Sequence, residues 1–208
     1  MTTSKLSIYN GALRLLGERR LSSLTEDRPS RHYLDAAYDD GLVDYLLEQG
    51  QWNFATRTIK ITYDPAVVPD FGYRYAYGKP TDYVRLAALC LDEYFKAPLN
   101  EYSDEQGYWF CDYDELYIKY ISNDTDYGSD VSLWPQTFVR YAQAELADRI
   151  KEEVTGNDGK YERIKKALKD ARVDARSKDV MNRPVRFQPA GTFVRARMTS
   201  TVNIDGQN

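Results

Sequence analysis

Apolar residues recur at helical spacing at both ends of this chain and at alternate positions in its middle. Across Ser4–Leu16, the residues Leu6, Tyr9, Leu13 and Leu16 form a helical stripe, and Gly17 suits the left-handed position past a helix end. A polar loop, Glu18–Arg28, leads to Pro29, a residue pre-set for a first helical turn. The stripe Leu34, Ala37, Tyr38, Gly41, Leu42 and Tyr45 then predicts one helix over Pro29–Gln49. Gly41 within it costs helix stability unless another backbone approaches closely there. After Gly50 the period falls to two: Ile59, Ile61 and Tyr63 alternate with Thr58, Lys60 and Thr62, predicting a strand at Arg57–Tyr63. Trp52 and Phe54 sit on the hinge between the two patterns, so the helix end and the strand start are expected to share one core.

Further strands are predicted at Tyr73–Tyr77, Tyr83–Cys90, Tyr108–Phe110 and Leu116–Tyr120, with Pro65, Pro69, Pro80 and Pro98 in the connections. The run Tyr83–Leu91 suits a short helix as well as a strand. Helical spacing returns at Pro135, where Phe138, Tyr141, Ala142, Leu146 and Ile150 predict a helix to Val154. Gly156 ends it, and Asn157 or Asp158 caps the next, Gly159–Lys178, with the seam Tyr161, Ile164, Leu168, Ala171 and Ala175. These two helices should pack as a hairpin. From Asp179 the pattern dissolves: Asn182, Pro184, Pro189 and Gly191 break regular structure, and few apolar anchors remain to offset the entropy of ordering. The expected fold is α+β. It is mainly an α-helical bundle of about four long helices from residues 1–54 and 131–178, with a β-rich insertion over 55–130 and an extended C-terminal arm over 179–208.

Composition removes several function classes. A chain of 208 residues buries a core without staples. No apolar run approaches bilayer length, and no charged leader with an apolar core stands at the start, so neither membrane insertion nor secretion is expected. Cys90 and Cys111 are expected as buried free thiols, consistent with a reducing compartment. His32 is the only histidine, which nearly excludes a histidine-based metal site or catalytic triad. There is no phosphate-cradling glycine loop, no Gly-x-Ser-x-Gly elbow and no Cys/His pair, and nothing fixes an acid in an apolar pocket; no enzymatic activity, cofactor or metal is expected. The runs Asp112-x-Asp114-Glu115 and Asp124-x-Asp126-Tyr127-Gly128-x-Asp130 have acids spaced as in calcium loops. Pro135 stands where the second needs its bidentate glutamate, and flanking helices are not predicted. The 18 tyrosines either fill the core of a moderately polar protein or cover surfaces that are wet until an assembly buries them.

The hinge, a helix followed by Gly50-Gln51-Trp52-Asn53-Phe54 and a strand, resembles the N-terminal part of the podovirus tail tubular protein A family and related head-to-tail adaptors (gatekeepers) of tailed phages. Ile8-Tyr9-Asn10 through Leu15-Leu16-Gly17-Glu18 is similar to that family's first helix with its closing Leu-Gly-Glu turn, and Leu21-Ser22-Ser23-Leu24 to the segment after it. Tyr75–Leu86 is similar to the family's Tyr-x-Leu-Pro-x-Asp-aromatic-x-Arg-Leu stretch, departing at Gly78-Lys79, where the family tends to have an apolar residue before Pro80. The segment from Gly191 to Arg197 resembles a short aromatic-Arg tail motif. These matches run in order over most of the chain. The resemblance implies a structural protein of the virion's head-tail junction, made in the host cytoplasm: a ring, most often of twelve subunits, between the portal protein and the tail nozzle or tail tube. Such a ring extends and seals the DNA channel and offers the tail its docking surface, without cofactor or membrane. It also implies that the functional residues are interface residues, and Phe187, Phe193, Val194, Arg195 and Arg197 are the candidates for contact with the portal or a neighbouring subunit. A head-completion or connector protein of another tailed-phage type is the alternative, and a soluble enzyme or regulatory binding protein is the rival of a different class.

A net charge of −4 conceals an asymmetry. Between Leu91 and Asp130 eleven acids stand against Lys96 and Lys119, while from Asp179 onward Arg183, Arg186, Arg195 and Arg197 face only Asp179 and Asp205. The plain reading is a solvated acidic face and a basic tail. Joined to the resemblance, an acidic wall lets duplex DNA pass without specific binding, because attraction of phosphate to Lys and Arg dominates non-specific binding. Asp104, Glu105, Asp112, Asp114 and Glu115 are the candidate channel-lining acids.

Overall fold

The fold comes from a computed structural model that describes residues 3–70 and 72–182. Among these residues it has six α-helices and two three-stranded antiparallel sheets, and so corrects the expectation of a bundle of about four long helices carrying a β-rich insertion. The elements are α1 (Lys5–Leu16), α2 (Pro29–Asp39), α3 (Leu42–Glu48), β1 (Thr56–Thr62), β2 (Tyr75–Gly78), β3 (Tyr83–Cys90), β4 (Ser103–Glu105), β5 (Tyr108–Cys111), β6 (Glu115–Ser122), α4 (Gln136–Arg149), α5 (Lys151–Val154) and α6 (Asp158–Met181), with 3-10 turns at Asn53–Ala55 and Val131–Leu133.

The helix count differs from expectation for local reasons. Gly41 adopts φ 68°, and no atom lies within 4 Å of where a Cβ would stand, so close backbone approach does not explain it. The left-handed torsion, which penalises any L-residue, does, and it divides the expected Pro29–Gln49 helix into α2 and α3. The expected helix after Pro135 leaves helical geometry at buried Ile150 (φ −102°, ψ 5°), which separates α4 from the single-turn α5. α6, capped by the Asn157 side chain accepting from the Lys160 N–H, continues to Met181, into the stretch expected as an arm. Its end is held by polar contacts that hydropathy does not register: the Asn53 N–H donates to an Asp179 carboxylate oxygen at 2.9 Å, and the Asn53 amide donates to the Asp179 carbonyl at 2.7 Å.

The first sheet has the order β1-β6-β3 and the second β2-β5-β4. Tyr83–Cys90 is a strand, and its ambiguous pattern has a cause. The pairing of β3 with β6 shifts register between Tyr83 and Arg85 and again between Leu86 and Ala88, so its side chains do not keep a clean alternation. Two cores result. One, between the helices, holds Leu13, Leu34, Leu46, Phe138 and Leu146 together with Trp52, Ala55 and Ile121, so the hinge shares a core with the helix end, whereas Ile59 and Ile61 of β1 pack against the other core. The other lies between the two sheets, where Tyr77, Trp109 and Cys111 pack with Leu89, Ile118 and Tyr120. Both cysteines are buried free thiols, and burial raises the pKa of each.

Candidate functional site

The best-built polar structure in the molecule lies where the sheets meet the helices. Asp82 enters it from the β2–β3 connection, its side chain 12% exposed. Its carboxylate accepts from Arg57 Nη1 at 2.8 Å, from the Tyr120 hydroxyl at 3.0 Å and from the Ser122 hydroxyl at 2.5 Å. Burial pushes its pKa up, but these donors outweigh burial and hold it below the usual carboxylate value. Three residues on, Arg85 donates to the Glu48 carbonyl at 3.0 Å, and Arg176 of α6 donates to the neighbouring Gln49 carbonyl. The C-terminal end of α3 is therefore capped from the sheet on one side and from α6 on the other. A groove of about 390 Å³ runs between these capping groups, lined by Gln49, Trp52, Arg85, Arg176 and Asp179.

The same device recurs. Lys160 Nζ donates to the Leu16 carbonyl at 3.0 Å, closing α1, and Arg149 Nη1 donates to the Ala37 and Asp40 carbonyls at 3.3 and 3.1 Å, closing α2. Each cation comes from an element far away in sequence, so the caps also fix how the helices sit against one another.

The five acidic candidates do not form one wall. Asp104 and Glu105 lie on β4, across from Trp109 and Tyr108, whereas Asp112, Asp114 and Glu115 lie at the other end of β5 or beyond it. Four of the five are engaged. Asp104 pairs with Lys79 at 2.5 Å and accepts from the Trp109 indole at 3.1 Å, and Glu105 accepts from the Ser103 hydroxyl. Asp112 accepts from the Arg74 N–H at 3.1 Å, and Glu115 pairs with Lys60 at 2.8 Å. Asp114 is exposed. Phe187, Phe193, Val194, Arg195 and Arg197 lie outside the described residues.

The calcium-like spacing at Asp124–Asp130 is a packed turn. Asp124 accepts from the Asp126 N–H, and a Cβ on Gly128 would stand 2.3 Å from the Ser122 carbonyl oxygen, so that glycine is required by close approach. No cluster of three or more His, Cys, Asp or Glu among the described residues is arranged to hold a metal ion, and no described helix is long and apolar enough to cross a membrane.

Two features of the interior are not among the sequence candidates. Asp82 and Arg85 stand in a stretch distinguished by its pattern, but the pattern alone assigns them no partners. Glu145 follows Tyr141 by four residues on the inward stripe of α4, so its burial is legible there. Burial raises its carboxyl pKa against the pull of Arg149, 3.5 Å away, and of Arg172, while the buried Tyr141 hydroxyl beside it has no hydrogen-bond partner among the described residues. A carboxyl whose pKa is raised by folding lends most stability below its unfolded pKa and loses it as pH rises through the folded value. Glu145→Gln should therefore stabilise the protein at pH 7 by about 1 kcal/mol, raising the melting temperature by roughly 2–4 °C, with the gain shrinking at pH 4. A melting temperature at pH 7 that fails to rise would show that the Arg149 pair outweighs burial.

No family model matches this chain, and no curated protein matches it.

Proposed function

We propose that this protein is a structural head-to-tail adaptor of a tailed phage. In this role copies of the chain form a ring, of twelve subunits as in the family it resembles, between the portal and the tail nozzle or tube. The ring extends and seals the DNA channel and offers the tail its docking surface. The observation that carries the proposal is a convergence. Two of the segments that resemble the adaptor family, Gly50–Phe54 and Tyr75–Leu86, are separate in sequence, yet Arg85 of one caps the helix end that leads into the other. Asp82 of the same segment gathers Arg57, Tyr120 and Ser122 beside it. Residues of the family-like segments thus join the helical and sheet units, as suits a part whose work is mechanical. The tyrosines support the same role. Tyr9, Tyr77, Tyr120 and Tyr141 fill the cores, while Tyr33, Tyr45, Tyr63, Tyr94 and Tyr113 are exposed, wet in the free protein and suited to burial in an assembly.

Mass photometry of the chain with and without the portal of its own phage tests this. The expected result is a ring-sized addition of mass to the portal. Deleting residues 183–208, which contain the candidate interface residues, should leave the melting temperature unchanged and abolish that addition. A full-length protein that stays monomeric or dimeric beside the portal would favour a soluble binding protein instead.

A further inference from the structure

The outer strands of a sheet carry backbone groups that could pair with another chain, and three of these edges are guarded. β3 is bulged in two places and its end is covered, the Leu99 N–H donating to the Leu89 carbonyl at 2.9 Å and the Leu91 N–H to the Ala97 carbonyl at 3.0 Å. β4 has only three residues. β2 has four, and the Asp64 N–H occupies its Ala76 carbonyl at 2.7 Å. β1 has none of these devices: it runs for seven residues without proline and pairs one to one with β6, without a bulge. Lys60, a residue type that guards edges, is turned to Glu115 of β6 at 2.8 Å.

The pairing fixes which groups face outward. The Asn123 N–H donates to the Asp82 carbonyl at 3.0 Å, so Asn123 turns toward the β3 side of β6. By alternation Tyr120 and Ile118 turn toward β1, where they bond Arg57 and Ile59. Thr56 agrees, since its N–H goes back to the Asn53 carbonyl. Thr58, Lys60 and Thr62 therefore direct their N–H and C=O groups away from the sheet. All three residues are exposed, and among the described residues no donor or acceptor meets those groups.

The rest of the chain starts beside this edge. Asp179, near the end of α6, is fastened to Asn53, three residues before β1 begins, so residues 183–208 follow from the root of the strand. Within them Thr192–Asp205 contains neither proline nor glycine, and Val194, Ala196 and Met198 alternate with Arg195 and Arg197, the period of a half-buried strand. The residues before that stretch, 183–191, can span up to ~30 Å, enough to leave one molecule and reach another. We propose that residues 192–198 of a neighbouring copy add to β1 as a fourth strand of the first sheet. Their backbone pairs with Thr58, Lys60 and Thr62, and Val194, Ala196 and Met198 continue the face of Ile59 and Ile61. This contact rests on the ring proposed above, in which each copy must hold the next. A strand from one copy on the edge of another is head-to-tail, the kind of contact that closes into a ring.

Proline substitutions in the full-length protein test the pairing. Sedimentation velocity should show association that rises with concentration and persists in about 0.5 M salt, because main-chain bonds and not surface ion pairs hold it. Thr58→Pro removes an outward N–H and spares the bonds to β6. Arg195→Pro with Ala196→Pro blocks the incoming strand whichever way it faces, since one of two successive residues falls at a pairing N–H. Each should weaken association by about tenfold or more, whereas Thr58→Val, which keeps the N–H, should associate like the parent. A mixture of the edge variant and the arm variant should form pairs and nothing larger, one intact arm meeting one intact edge. If Thr58→Pro lowers the melting temperature, the arm variant, which alters no described residue, decides alone. An arm variant that associates like the parent, a mixture without pairs, or a parent that stays monomeric overturns the proposal. Rings that form on the portal with the arm variant also overturn it and leave the adaptor role standing. A parent that associates through this edge yet adds no mass to the portal keeps the contact and removes the adaptor role.

Discussion

Replacing Trp52 by alanine is expected to cost about 3–5 kcal/mol and to lower the melting temperature by roughly 10 °C or more. The side chain is 1% exposed and meets Phe138 edge-on with ring centres 4.8 Å apart, while Phe54 and Tyr141 flank it at 6.4 Å. Its indole N–H donates to the Leu46 carbonyl at 3.0 Å, within the last turn of α3. Alanine therefore opens a cavity, deletes aromatic contacts and leaves a buried helix-end carbonyl without that donor. Trp52→Phe keeps one ring but loses the donor and part of the packed volume, so it should fall between parent and alanine. Urea denaturation followed by tyrosine fluorescence reads both variants. A loss of less than about 1 kcal/mol for alanine would mean that the hinge is not the centre of the helical core.

Asp82→Asn should cost about 2–4 kcal/mol at pH 7. The amide keeps the shape of the carboxylate but has one accepting oxygen where the parent serves three donors, and its NH₂ meets either Arg57 or a hydroxyl as a second donor. Tyr120 and Ser122 are fully buried, so whichever group is left unpaired is left so in the interior. The pH dependence has a definite sign. The parent carboxyl titrates below its unfolded value when folded, so its contribution is present above the unfolded pKa, near 4, and is lost as pH falls through the folded value. The stability gap between the parent and the D82N variant should therefore be widest at neutral pH and narrow below about pH 4. A gap that stays constant from pH 7 to pH 3 would show that shape, not charge, holds the junction.

What can be read from the sequence is local. α1 is legible because its stripe is unbroken and Gly17 closes it, and β1 because Thr58 to Tyr63 alternate without interruption. Gly41 is visible as an anomaly, but residue order does not say whether a glycine answers a torsion or a neighbour. β3 stays ambiguous because its bulges shift the phase that periodicity depends on. The end of α6 is hidden from periodicity because Asn53, 126 residues away, holds it. The acidic candidates show the same limit. Their charge can be counted, but the Lys79 and Lys60 that occupy Asp104 and Glu115 come from other stretches of the chain, and only the folded sheets bring them together.

The clasp between Asn53 and Asp179 has a mechanical consequence. Anything that pulls on the chain beyond Asn182 pulls first on the last turn of α6, and that turn is fastened to the root of β1 and, through Arg176, to the end of α3. The load meets these hydrogen bonds before it can reach the rest of α6, and they share it. Tension applied there is handed to the hinge, where the helices and the sheets meet, and leaves the α6 backbone nearly unstrained.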